Sequence, residues 1–134
     1  MLLDEISTYL VSQGVGVAGS TASWTIFKGI EPNTPEKCIT LFETGGLENE
    51  GHHDTPVDRP TFQVRVRADS YGYSTARVKL GAARTALENI GNITLSSWKY
   101  VHVQAIGEAA SLGYDENQLP RLVLNFRAIR SRTS

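Results

Sequence analysis

Three groups of side chains in this sequence have types and spacings that could do chemistry. His52, His53 and Asp54 stand side by side and could offer two imidazoles and a carboxylate to a cation. A metal site needs a third and a fourth donor at defined spacing, and the neighbouring acids follow no such pattern. Glu48, Glu50, Asp54 and Asp58 form a run of carboxylates. They lie in GGLENEGHHDTPVDRP (45–60), whose glycines and prolines predict a long acidic, exposed loop. General acid–base pairs need more rigid support than that. The third group is Arg65 and Arg67, two guanidinium groups one residue apart, suited to carboxylates or phosphates and ill suited to a core.

The remaining candidates read as structural. His102 in VHVQAI is a polar-face strand residue. Cys38, the single cysteine, excludes an intramolecular disulfide and any multi-cysteine metal site, and reads as a small core residue. Gly14, Gly16 and Gly19 in GVGVAG follow a helical stretch instead of a strand, the wrong context for a dinucleotide fingerprint. No GxSxG, HExxH or P-loop pattern occurs. The chain is therefore expected not to be an enzyme and to carry no cofactor and no metal.

Charge sharpens the picture. The 134 residues sum to −1. Residues 1–60 hold nine acids and three bases, a balance of −6, and residues 61–134 hold five acids and ten bases, a balance of +5. Such a chain is expected to present two electrically different surfaces. No apolar run approaches the roughly 18 residues of a membrane span, and MLLDEISTYL places acids where a secretory leader places bases. A soluble protein of a reducing compartment, with no membrane partner, is the expectation.

These groups need elements to hold them. Leu2, Leu3, Ile6, Tyr9 and Leu10 predict a helix over 2–13, stopped by Gly14 and Gly16. WTIFKGI (24–30) and CITLFET (38–44) read as strands; the short Pro-rich loop between them suggests an antiparallel pair. In TFQVRVRAD (61–69), Phe62, Val64, Val66 and Ala68 alternate with Gln63, Arg65, Arg67 and Asp69, the clearest strand of the chain. Ala76, Leu80, Ala83, Leu87 and Ile90 predict a helix over 74–89, capped by Gly91. Stretches 94–98 and 100–107 read as strands, 112–117 as a loop. The last strand is 121–130, with Leu122, Leu124, Phe126 and Ala128 on one side. Helix, three strands, helix, two or three strands predicts an α+β fold. Its sheet is mainly antiparallel, with five to six strands and two helices packed on one face. With no repeat and no linker, residues 1–134 read as one domain.

LFETGG (41–46), FQVRVRADSYGYSTA (62–76), LENIG (87–91) and LGYDENQLPRLVLNFRAI (112–129) occur in this order. Together they resemble the tail-terminator or minor capsid proteins of long-tailed bacteriophages. In that family a TGG follows the second strand, a QVRVR strand runs into a helix, and a G·DE turn precedes an NF strand. Gln118–Leu119–Pro120 departs from the short glycine-containing turn of that pattern.

The resemblance implies a structural virion protein at the head–tail junction, assembled in the host cytoplasm. Such proteins form a ring, usually a hexamer, that ends tail-tube polymerisation and offers a docking surface. The implied partners are further copies of the chain, the tail-tube protein and a head-completion or connector protein. DNA passes through the lumen without sequence-specific binding. Arg65 and Arg67 match its RVR and Asp115 and Glu116 its DE. With Arg127 they are the expected subunit-interface residues, Arg67 pairing with Asp115 across a boundary. The acids Glu48, Glu50, Asp54 and Asp58 are expected at the lumen or an axial surface, where negative charge repels DNA phosphates. Two alternatives share these residues. One is a neck or head-closure (tail-completion) protein of the same junction. The other is a small nucleic-acid-binding module using Arg65, Arg67, Arg77, Lys79, Arg84, Arg127, Arg130 and Arg132, although aromatic platforms for stacking are few there.

Overall fold

The computed structural model describes residues 2–47 and 57–132. Helix α1 (Leu2–Ser12) buries Leu2, Leu3, Ile6, Tyr9 and Leu10 and places Asp4 and Glu5 in its first turn, where the helix dipole favours anions. Gly14, at φ 75°, takes the left-handed conformation that ends it. Strands β1 (Thr25–Lys28), β2 (Cys38–Leu47) and β3 (Val57–Arg67) follow, then helix α2 (Tyr73–Glu88) and strands β4 (Gly91–Leu95), β5 (Trp98–Tyr114) and β6 (Pro120–Arg132).

One six-stranded sheet has the order β1-β2-β3-β6-β5-β4. The inward faces of the strands carry Ile39, Leu41, Phe62, Val64, Val66, Leu122, Leu124, Phe126 and Ala128. These join the apolar faces of both helices in one buried core. Phe62 and Phe126, paired across β3 and β6, stack with ring centroids 5.4 Å apart. Both helices therefore cover the same face of the sheet, as the periodicities predict, and the order of elements is the predicted one.

Four details differ from the sequence reading. First, β1 pairs with β2 in parallel, Thr25 beside Cys38 and Lys28 beside Leu41, not as a hairpin. A four-residue strand is only about 13 Å long, so residues 29–37 have length enough to run back beside it before β2 starts. Arg67 holds that return through the carbonyls of Asn33, Pro35 and Glu36. Second, both ends of the loop predicted at 45–60 are strand, because β2 and β3 continue pairing as far as Leu47 and Arg59, and its residues 48–56 lie outside the described residues. Gly45, at φ 96°, carries the bulge that lets the ladder continue. Third, Gly91 does not cap α2. The helix ends at Asn89 in right-handed conformation, its N–H bonded to Thr85, and Gly91 opens β4 opposite His102.

Fourth, β5 runs to Tyr114, and the loop expected at 112–117 becomes the turn 115–119. Asp115 builds that turn. Its Oδ1 accepts the N–H groups of Asn117 and Leu119 at 2.9 and 3.0 Å. Its own N–H donates to the Leu119 carbonyl at 2.9 Å. Pro120, which has no N–H to give, takes the first position of β6, where none is needed, and its carbonyl accepts from Ala68.

Candidate functional site

Alternation along β3 sends Phe62, Val64 and Val66 into the core and turns Gln63, Arg65 and Arg67 to the face without helices. Arg67 does not stay in water there: it is 3% exposed. Its Nε donates to the Glu36 carbonyl at 2.9 Å, and its Nη2 to those of Pro35 and Asn33 at 2.8 and 3.2 Å. Its Nη1 lies 3.6 Å from Glu31 and 3.7 Å from Asp115, and Arg121 adds a second cation 3.4 Å from Glu31. A groove of about 400 Å³ borders this network, between the β1–β2 and β5–β6 connections.

Arg67 and Asp115 thus meet inside one chain. The boundary-crossing pair expected from the sequence is replaced by an internal one, because the returning 29–37 segment brings carbonyl acceptors over Arg67. Glu116, next to Asp115, stays exposed on the turn.

Arg65 sits in a different setting on the same strand. Its guanidinium lies over the Phe42 ring at 4.7 Å, and Nη2 donates to Gln63 Oε1 at 3.1 Å. Gln63 in turn donates to Asn125 Oδ1 on β6 at 3.2 Å. Arg65 Nε is buried without an acceptor among the described residues. Arg127, opposite Thr61, lies exposed on the same face. The arrangement is a planar donor held over an aromatic ring, with a second cation on the same face that meets no carboxylate among the described residues, and it suits carboxylates or phosphates.

The other predicted positions separate. Asp58 is on β3 and pairs with Arg130 at 3.7 Å. Glu48, Glu50, Asp54 and the pair His52–His53 lie outside the described residues. His102 is exposed on β5, and Cys38 is fully buried; burial pushes its thiol pKa up. The eight basic residues considered for nucleic acid do not form one patch. Arg84 on α2 is bound to Glu88 and Glu108, both at 3.1 Å. Lys79 on α2 donates to the Val15 carbonyl and lies over Trp24, with burial lowering its pKa. Arg65 and Arg127 are on the opposite side of the sheet.

One cluster was not foreseen from the sequence, which offered Arg130 only as a nucleic-acid contact. Arg130 is 11% exposed, stacks 4.1 Å over Trp98 and donates to Glu5 Oε1 at 3.2 Å and Tyr100 Oη at 3.1 Å. Tyr100 also donates to Glu5. Burial, and then the bond to Glu5, push the phenol pKa upward. A signal was present: Arg130 continues the inward alternation of Leu122, Leu124, Phe126 and Ala128, so it requires a buried acid.

A family model described as bacteriophage tail terminator protein matches residues 9–132. A chain of the virion of a native gene transfer agent particle has a similar structure, with a TM-score of 0.64 and 19% identity. That match covers 79% of this chain and 78% of the other. No curated protein matches the sequence.

Proposed function

The chain belongs to the bacteriophage tail terminator family and is a structural, tail-related virion protein; on that premise we propose that it forms a ring, a hexamer, at the head-proximal end of a tail tube. There it ends tube polymerisation and gives the head-completion or connector protein its docking surface, while DNA passes through the lumen. The observation that carries this reading is the family match over residues 9–132, which takes in all of the sheet and most of the helical layer.

Recognition is the only work such a ring needs, and the helix-free face supplies material for it. Arg65, Arg127 and Glu116 are the candidate subunit contacts. Arg67 and Asp115 serve from behind, by holding the connections that frame the face. Tyr71, fully exposed, and Tyr114, more than half exposed, stand at the groove that Ser70 and Gln118 complete. Tyrosine is enriched at interfaces, which supports that end as an axial contact.

Two measurements test the proposal. Solution mass, alone and with tail-tube protein, should show a ring in at least the second condition; a lone monomer in both overturns it. Electron microscopy of particles made without the protein should show tubes of uncontrolled length. Full heads without tails would assign the chain to head closure instead.

A further inference from the structure

We infer that the groove between the β1–β2 and β5–β6 connections seats helix α2 of a second copy of this chain, with Arg77 pairing with Glu116 and Val78 covering Tyr114. The inference rests on the ring reading and names a contact that would build the ring.

Charge is the first argument. Glu31, Asp115 and Glu116 line the groove against Arg67 and Arg121. Three carboxylates to two guanidinium groups leave one negative charge unmatched. Arg121 and Arg67 approach Glu31 only to 3.4 and 3.6 Å, longer than the roughly 2.7–2.9 Å of a full charge-assisted bond. Glu31 Oε2 has no hydrogen-bond partner among the described residues. Glu116 at the rim and Glu36 on the facing connection are exposed, and neither meets a cation among those residues. A guanidinium from outside supplies what is lacking. The chain carries one in Arg77, which is exposed on α2 and meets no carboxylate among the described residues.

Apolar surface is the second. Val78, beside Arg77, is 74% exposed. On the other side of the contact, Ile30, beside Glu31, is 75% exposed, and Tyr114, on the groove wall, is 58% exposed. Each alone would be ordinary. Here they accompany the unmatched charges on both patches, so the contact that pairs Arg77 with Glu116 also removes them from water. The Tyr114 ring offers the guanidinium an aromatic face as well.

Position is the third, and it decides between one copy and two. Arg67 and Arg121 stand opposite each other on the helix-free face, so the groove lies on that side. Helix α2 buries Ala76, Leu80, Ala83 and Leu87 against the other face and leaves Arg77 and Val78 turned outward. The sheet stands between the two patches, so no single chain joins them. The groove is at the Arg67 end of β3, eight residues or about 27 Å of strand from the rung of Leu47 and Arg59, and every residue lining it is described. Two different patches on opposite sides give a head-to-tail contact, the kind that closes rings.

Charge reversal tests this. Arg77→Glu should weaken assembly roughly tenfold, measured by sedimentation at fixed salt. Glu116→Arg should do the same, and the chain carrying both changes should recover most of the loss. Both residues are exposed, so the melting curve of the monomer serves as the folding control. In addition, Arg77→Cys chains mixed with Glu116→Cys chains should be joined into dimers by a short bis-maleimide, Cys38 being buried, while neither variant alone should be.

Each other result overturns the inference. A wild-type protein that stays monomeric even with tail-tube protein removes the ring reading as well. A ring that ignores both reversals, or a mixture that does not cross-link although the ring forms, removes the inference alone. Reversals that leave the ring intact but abolish binding of tail-tube protein make the groove an axial contact. Binding of duplex DNA that falls steeply with salt and is lost in Arg77→Glu, with assembly unchanged, gives Arg77 to phosphate.

Discussion

Arg65 and Arg67 are the same residue type, one position apart on the same face of the same strand, yet they do different work. Arg67 lies under the returning 29–37 segment and commits its guanidinium to three backbone carbonyls and two carboxylates. Arg65 lies two residues nearer the middle of the sheet, over the Phe42 ring, with a neutral amide as its one hydrogen-bond partner among the described residues. The first arginine ties connections together and has little left for a partner. The second is held in place by packing, and no carboxylate among the described residues neutralises its charge. Identical chemistry therefore becomes structural or available according to what covers it.

The widest gap between the two should appear on truncation. Arg67→Ala removes a buried cation from facing carboxylates and orphans three carbonyls, so it should cost about 3 kcal/mol or more in chemical denaturation. Arg65→Ala should cost under about 1 kcal/mol. Equal losses would erase the distinction drawn here.

The Arg130 cluster extends the comparison to the far end of the sheet. Tyr100→Phe should cost about 1–2 kcal/mol, because Glu5 loses a buried donor. Its pH dependence carries a sign. The phenol pKa is raised in the folded state from an ordinary value of 10.0. The unfolded chain therefore loses its proton first, and stability present below pH 10 falls above it. Tyr100→Phe should flatten that decline in denaturation curves taken between pH 8 and 11. A decline as steep as in the wild type would assign it to other groups.

Asp115 separates its two jobs through paired substitutions. Asp115→Asn keeps the Oδ1 that closes the 115–119 turn and drops the charge near Arg67. It should cost less than Asp115→Ala, which loses both and should cost about 1–2 kcal/mol. Hydrogen exchange at the Asn117 and Leu119 amides reads the turn directly, and fast exchange in the Asn variant would contradict the split.

The smallest expected change in stability is at Arg127, where Arg127→Ala should move the melting temperature by less than about 2 °C. Its effect belongs to assembly. If the monomer is destabilised instead, Arg127 resembles Arg67, and the face is not available to a partner.

Local periodicity made much of this molecule legible. The 3.6-residue stripes of α1 and α2 and the two-residue alternation of β3 and β6 placed both helices, the two central strands and nearly the whole core. The ordered motifs from LFETGG to NFRAI were enough to indicate the family. Both kinds of signal are local, since a residue's neighbours on one element are set by spacing along the chain. The parallel course of β1 and β2, the burial of Arg67 and its meeting with Asp115 inside one chain were decided only in three dimensions. So was the assembly of Glu5, Tyr100 and Arg130 from α1, β5 and β6. Each depends on which distant segment comes to lie over a given face, and spacing along a single strand does not encode that.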